Sequence, residues 1–368
     1  SRMMGAGVYD HGYILGYERL NDHLAADEGP RHRLWRIRAK QIITATGSIE
    51  RPISFPSNDI PGVMLASAVR DYAVNFGVAT GNKIAVYTNN DDAYRTAITL
   101  NEVGIEVSVI VDARVGGGGE LAERAKALGI RVENGKAISK VFGKKRVEAI
   151  RICEHKDSGR GNEKIECDCI AMSGGWSPVV HLYSHCGGKL KWDEKLALFK
   201  PDSSAKPTSH DGLPFVTAVG SANGFLLMQE VLKDAWEGCL DVIEAAGGKV
   251  KKESFKLIEQ EYENSLQAIW IAPQDADIKK RSKIWLDFQN DVKINDVELA
   301  AREGFESVEH TKRYTTLGMA TDQGKLSNIN GLAILSSSLG KEIPKVGTTT
   351  FRPPYTPISL GSIGGSAR

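Results

Sequence analysis

Apolar and polar positions alternate along this chain with two periods, and the changes of period divide it into units. The run RLWRIRAKQ (33–41) sets apolar against basic residues with period two, as a half-exposed strand does. IITATG (42–47) then reads as a buried strand closing on Gly47. Helical spacing follows over 66–76 and ends at the glycine turn 77–82. From Lys83, an apolar strand, a helix through about Val103, a turn at Gly104 and the strand EVSVIVDAR (106–114) form one strand-helix-strand unit with parallel strands. A helix over 120–128 comes next, then the strand-like runs IRVENGKAISKV (130–141), VEAIRICE (147–154) and KIECDCIAMSGG (164–175). PFVTAVGS (214–221) runs into a long apolar helix expected over 224–246.

Beyond the small basic linker GGKVKK (247–252), residues 253–339 read as mostly helical. The last stretch, KEIPKVGTTTFRPPYTPISLGSIGG (341–365), has too much Pro, Gly and Thr for regular structure, and is a linker or an arm laid across another surface. The pattern predicts an α/β fold: a two-lobe Rossmann-like unit followed by a small helical module. The first lobe takes residues 1–80 and 151–246 and is expected to be incomplete at its N-terminus. Residues 81–150 form an inserted lobe, 253–340 the module and 341–368 the linker arm.

Charge changes this picture little. The 47 Lys and Arg nearly cancel the 46 Asp and Glu, so no surface-wide field attracts nucleic acid or anionic lipid. No apolar run approaches the roughly 18–20 residues that cross a bilayer, and no apolar leader opens the sequence, so a cytoplasmic protein is expected. The five cysteines have no disulfide-framework spacing, and reduced thiols are expected. Cys167 and Cys169 are expected on one face of a strand, as buried structural thiols. His181 and His185, at i and i+4, share a helical face and suit a packing role better than a metal.

The candidate chemistry starts at Thr88-Asn-Asn-Asp-Asp92. A dinucleotide fingerprint carries glycines there, so that the backbone can approach a pyrophosphate at a helix N-terminus. Here side chains fill that space, two of them acidic, and they suit a helix cap instead. Asp112 holds the position of a ribose-binding acid, a weak signal without the glycine turn. Ile43-Thr-Ala-Thr-Gly47 is the type of strand end that returns under a nucleotide in flavin and pyridine nucleotide-disulfide reductase folds, making Thr46 and Gly47 candidate cofactor contacts. Their companions are Gly220 and Ser221 in AVGSANG (218–224), where Ser221 stands in place of the usual acid. The chain has no Cys-x4-Cys redox pair.

Long strings in order, among them YDHGY, LWRIRAKQIITATGSIERP, NDIPGVMLASAVRDY, TNNDDAYRTA, SGGWSPVVHL, DFQNDV, REGFESVEHTKRYTTLGMATDQGK and TFRPPYTP, resemble the alpha subunit of heterotetrameric sarcosine oxidase over nearly the whole chain. The resemblance implies oxidative demethylation of sarcosine with oxygen and tetrahydrofolate to glycine, methylene-tetrahydrofolate and hydrogen peroxide. It implies beta, gamma and delta partner subunits, FAD on beta, FMN between alpha and beta, NAD on alpha, and tetrahydrofolate on a C-terminal domain. The family's upstream glycine-rich segment and folate domain are absent from this sequence, so a fragment with an incomplete NAD site is expected, without substrate chemistry of its own. Related dehydrogenase alpha subunits carry cluster-binding cysteines where this chain has WLDFQNDV and GMATDQGK. Asp287, Phe288, Gln289, Asn290, Thr321 and Asp322 supply no thiolate, which implies a module without an iron–sulfur cluster. Lys312, Arg313, Tyr314, Thr315 and Thr316 are then candidates for a flavin-facing surface, the cations for the reduced ring and the hydroxyls for a phosphate. The alternative for them is a basic helix end making salt bridges. Rival readings of the whole are a related amine dehydrogenase subunit, a free-standing NAD(P)H-dependent flavoprotein reductase, and a vestigial nucleotide fold serving as an assembly scaffold.

Overall fold

The computed structural model describes residues 3–25, 29–250 and 266–365. Three antiparallel strands open the chain, β1 (Met3–Tyr9), β2 (Tyr13–Arg19) and β3 (His32–Arg38). The basic-apolar alternation of 33–41 does become a half-exposed strand, β3. Next come β4 (Ile42–Thr44), β5 (Ser48–Glu50) and β6 (Val63–Leu65), which feeds α1 (Ala66–Phe76). β4 is not buried throughout: Ile42 and Thr44 point inward and Ile43 outward.

The strand-helix-strand unit forms as its periods require: β7 (Lys83–Thr88), α2 (Asp92–Glu102), β8 (Glu106–Asp112), α3 (Gly119–Ala127) and β9 (Val132–Asn134). An antiparallel sheet of β10 (Lys136–Gly143), β11 (Val147–Glu154) and β12 (Glu163–Glu166) lies beside it. After β13 (Cys169–Ser173), a five-stranded parallel sheet is complete in the order β6-β13-β7-β8-β9. This sheet reaches outside 81–150, because the apolar runs 63–65 and 169–173 supply its remaining strands.

Alternate side chains of the sheet serve two cores. Ala85, Tyr87, Val109, Val111, Ile170 and Met172 pack toward the β10–β12 sheet, while Ile84, Val86, Ile110, Cys169 and Ala171 meet α1, α2 and α3. Such period-two division is what a strand buried on both faces imposes. Cys167 departs from expectation here. It lies in the first core and Cys169 in the second, because the run 164–175 is two strands of different sheets, broken at Asp168. The Asp168 carboxylate accepts the backbone N–H groups of Asn82 and Lys83, each at 2.9 Å, and pins that break to the start of β7.

The first lobe is completed by β14 (Trp176–Pro178) on β5, the short α4 (His181–His185), the hairpin β15 (Leu190–Asp193) and β16 (Leu198–Pro201), and β17 (Val216–Ala218) parallel to β4. The following helix, α5 (Met228–Ala245), starts four residues later than its apolar pattern suggests. A 3-10 turn over Gly220–Asn223 intervenes, tied down by Asp234 of α5, which accepts the Gly220 N–H at 2.6 Å and the Asn223 amide at 3.1 Å.

The start of the expected helical stretch lies outside the described residues. From 266 onward the module holds α6 (Ile278–Arg281), β18 (Trp285–Asp287), β19 (Val292–Lys293), α7 (Ile294–Arg302), α8 (Val308–Thr315) and α9 (Asn328–Leu339) around a core that includes Ile284, Val297, Leu317 and Leu335. The final stretch holds two short helices, α10 (Ile343–Val346) and α11 (Leu360–Gly364). It is bound along its course: Thr350 N–H donates to Glu309, Tyr355 N–H to the Ala6 carbonyl, and Gln323 to the Pro354 carbonyl. No described helix is long and apolar enough to cross a membrane.

Candidate functional site

The turn after β7 is closed by its own side chains. The Asn90 amide donates to the Ser173 hydroxyl (2.9 Å) and carbonyl (3.1 Å), while its carbonyl oxygen accepts the Asp92 N–H (3.1 Å), capping the start of α2. Asn89 donates to the carbonyl of Gln267 at 2.7 Å and so ties the turn to the chain leading into the module. Asp92 faces Arg70 at 3.2 Å and Arg95 at 3.7 Å.

Asp112 ends β8 where a ribose acid would stand, yet it is fully buried and engaged. It accepts from the Tyr94 hydroxyl (2.8 Å), the Arg114 backbone N–H (2.9 Å) and the Arg114 guanidinium (2.8 Å), which also reaches Asp91 at 2.7 Å. Burial together with Asp112 drives the Tyr94 phenol far up. The guanidinium satisfies both carboxylates that a nucleotide would otherwise have to meet. These residues do not fit a dinucleotide phosphate or ribose at this turn.

The other candidate residues gather at the C-terminal ends of β4 and β17. Thr46 donates to the Val179 carbonyl at 2.6 Å, and Gly47 sits at φ +77° with open space around the missing Cβ. Gly220 and Ser221 begin the turn on the neighbouring strand, so adjacent parallel strands bring the two pairs to one edge. That is where open α/β sheets hold ligands. Ser221 lines a cleft of about 650 Å³ with Asp92, Arg95, Trp176, Lys195 and Glu230. The Gly220 N–H, already given to Asp234, is not free to meet a phosphate. Arg95, Trp176, Lys195 and Glu230 were not singled out from the sequence. They come from four separate segments, and only Glu230, in the first turn of an apolar helix, carried a local signal.

In the module, Asp287 ends β18 in the cysteine-free segment WLDFQNDV. It is 2% exposed, and its carboxylate accepts three backbone N–H groups: Gln289 (2.9 Å), Asn290 (3.0 Å) and Gly318 (2.7 Å). Asn290 donates to the Thr316 carbonyl and Thr321 to Gln289. The two cysteine-free segments are thus joined by side-chain hydrogen bonds. Among the described residues no group of three His, Cys, Asp or Glu is placed to hold a metal.

Lys312 to Thr316 lie at the end of α8 beside this junction. Tyr314 donates to Glu303 at 2.7 Å and packs on Phe305, and Arg313 faces Glu309 at 4.0 Å. Thr315 donates to the Thr311 carbonyl and Thr316 to the Thr315 carbonyl, so their hydroxyl protons are spent on the backbone. The hydroxyls thus do not form a phosphate cradle, and the helix end carries the cations Lys312 and Arg313. His181 and His185 sit elsewhere, between the first lobe and the arm, where the His181 ring lies 4.1 Å from that of Phe351.

Residues 281–367 match the sarcosine oxidase A3 domain. Over 99% of its length the chain is 38% identical to the sarcosine oxidase subunit alpha of Rhizobium meliloti, and over 98% it is 36% identical to that of Corynebacterium sp. strain U-96. The chain is homologous to part of the sarcosine oxidase alpha subunit. It spans 35% and 37% of the length of these relatives. Among solved structures, L-proline dehydrogenase from P. horikoshii matches 98% of the chain and 64% of its own, with a TM-score of 0.70 at 20% identity. This structure agrees with the expected α/β fold with a helical module at its C-terminal end.

Proposed function

We propose that this chain works as part of the alpha subunit of a sarcosine oxidase, in the cytoplasm, in a complex with beta, gamma and delta subunits. In that complex sarcosine is demethylated with oxygen and tetrahydrofolate to glycine, methylene-tetrahydrofolate and hydrogen peroxide. The observation that carries this reading is the 38% identity extending over 99% of the chain.

In this reading the oxidation belongs to FAD on the beta subunit, tetrahydrofolate is used outside this chain, and the chain contributes architecture. The inserted lobe is a scaffold, since Arg114 and the Asn-Asn-Asp-Asp turn occupy the ground a nucleotide would need. The edge carrying Thr46, Gly47, Gly220 and Ser221, with its cleft, is where an NAD moiety would lie against the first lobe. The end of α8, with Lys312, Arg313 and Tyr314 beside the Asp287 junction, faces the FMN shared with the beta subunit. There the cations favour the reduced, anionic ring.

Affinity purification of the native complex, with its visible spectrum, intact partner masses and iron content, tests the assignment. Flavin absorption, no iron and a partner bearing covalent FMN are expected. An iron–sulfur spectrum, or sarcosine-dependent oxygen uptake by the isolated chain, overturns it. Lys312→Ala with Arg313→Ala separates the flavin-facing role from a pure scaffold, because only the former shifts the flavin spectrum of the assembled complex.

A further inference from the structure

Lobes joined by strand crossings move against each other by default, unless other contacts hold them together. Here the chain passes from the first lobe to the inserted lobe through residues 51–62 and returns through 173–176. The crossings lie side by side: Arg51 N–H donates to the Gly175 carbonyl and Gly174 N–H to the Arg51 carbonyl, each at 2.7 Å. A Cβ on Gly174 would stand 2.7 Å from the Pro52 carbonyl oxygen, so no side chain fits between them. The cleft of about 650 Å³ opens beside this hinge, with Asp92 and Arg95 on the inserted lobe and Trp176, Lys195 and Ser221 on the first. Its width follows the angle between the lobes.

The helical module and the chain leading into it are bonded along the first crossing. Ala272 N–H donates to the Ser54 carbonyl (2.9 Å), and Ser57 N–H to the Lys283 carbonyl (2.7 Å). The buried Asn58 side chain pairs with the Trp285 backbone as another strand would, donating to its carbonyl and accepting its N–H, each at 2.9 Å. Asn330 of α9, also buried, donates to the Pro52 carbonyl (3.0 Å) and the Ser54 hydroxyl (3.4 Å). The same unit grips both lobes. Ile269 and Ala272 enter the core beneath the inserted lobe, while Gln274 N–H (2.9 Å) and the Lys280 ammonium (2.6 Å) donate to the His155 and Ser158 carbonyls. On the other side, Phe199 of β16 packs against the module's core, and Tyr355 N–H of the arm donates to the Ala6 carbonyl of β1 at 2.6 Å.

We propose that the module is a clamp on the hinge. It fixes the angle between the lobes, so the cleft keeps one width and a ligand enters it without closure of one lobe on the other. Asn58 and Asn330 are its positioning residues, because their amides act on the crossing itself. For the lobes to rotate, the crossing must leave the module, and the buried groups of Asn58, Asn330 and the Trp285 backbone would lose their partners together. Buried polar groups resist that loss. The clamp does not depend on which ligand the cleft takes.

Double electron–electron resonance on the full chain reads this angle, with spin labels at the exposed positions Arg36→Cys on β3 and Glu123→Cys on α3. Cys239 is replaced by Ser, and the other four cysteines are buried and stay unlabelled. One narrow distance is expected, the same with and without NAD. Asn58→Leu with Asn330→Leu removes the side-chain bonds to the crossing and should widen the distribution to about twice the parent's, with the far-UV circular dichroism unchanged. If that pair does not fold, Lys280→Met, which frees the Ser158 carbonyl, should give a smaller widening. A broad or two-peaked distribution in the parent, or the parent's width in whichever of these variants folds, overturns the proposal.

Discussion

Arg114→Met tests whether the inserted lobe is held closed by charge. The substitution keeps most of the side chain's length and removes its guanidinium, leaving Asp91 at 1% and Asp112 at 0% exposure without the cation they share. Breaking a buried ion pair by deleting one partner costs about 3–5 kcal/mol. Two bonds to Asp112 survive the change, from the Tyr94 hydroxyl and from the backbone N–H of residue 114. The lower end, about 3 kcal/mol, is therefore expected. Adding Asp112→Asn removes one of the stranded charges, and the double variant should recover about 1–2 kcal/mol of that loss, the non-additivity of residues sharing one network. Urea unfolding followed by far-UV circular dichroism reads both numbers. An Arg114→Met protein within about 0.5 kcal/mol of the parent, the range of ordinary surface changes, would refute the claim that this triad closes the turn.

Acid should loosen the arm. Burial takes His181 to about 3 and His185 to about 4, both below the ordinary 6.5, so the unfolded chain binds protons that the folded chain refuses. Their stabilising effect is intact above pH 6.5 and is lost as pH falls toward those values, at about 1.4 kcal/mol per pH unit for His181. His181→Phe should flatten this slope in denaturation measured from pH 7 to pH 4, and an unchanged slope would exclude His181 as its source. Asp287→Ala strands three backbone donors and should cost about 2–3 kcal/mol, the scale of hydrogen bonds to a charged group, with Tm as the readout. A loss below about 0.5 kcal/mol would mean that the junction does not depend on this carboxylate.

Much of the architecture was legible in the sequence because it rests on local periodicity. α1 spans 66–76 as its pattern requires, β7-α2-β8 follows the predicted order, and the missing glycines after Val86 signalled a turn unsuited to phosphate. What local pattern cannot encode is which distant segment completes a local preference. Asp112 looked like a ribose acid until Arg114 and Tyr94 were seen to consume it. Cys167 and Cys169 obeyed period two on paper, but Asp168 breaks the strand between them to reach the start of β7. The start of α5 shifted because Asp234 holds the preceding turn, and the arm acquired its course from Ala6, His181, Glu309 and Gln323. Sequence alone therefore determined the strand-helix-strand unit, α1 and the residue types at the turn after β7. Tertiary structure decided which charges are already paired, where the clefts open and what the arm covers, because those depend on contacts between separate segments of the chain.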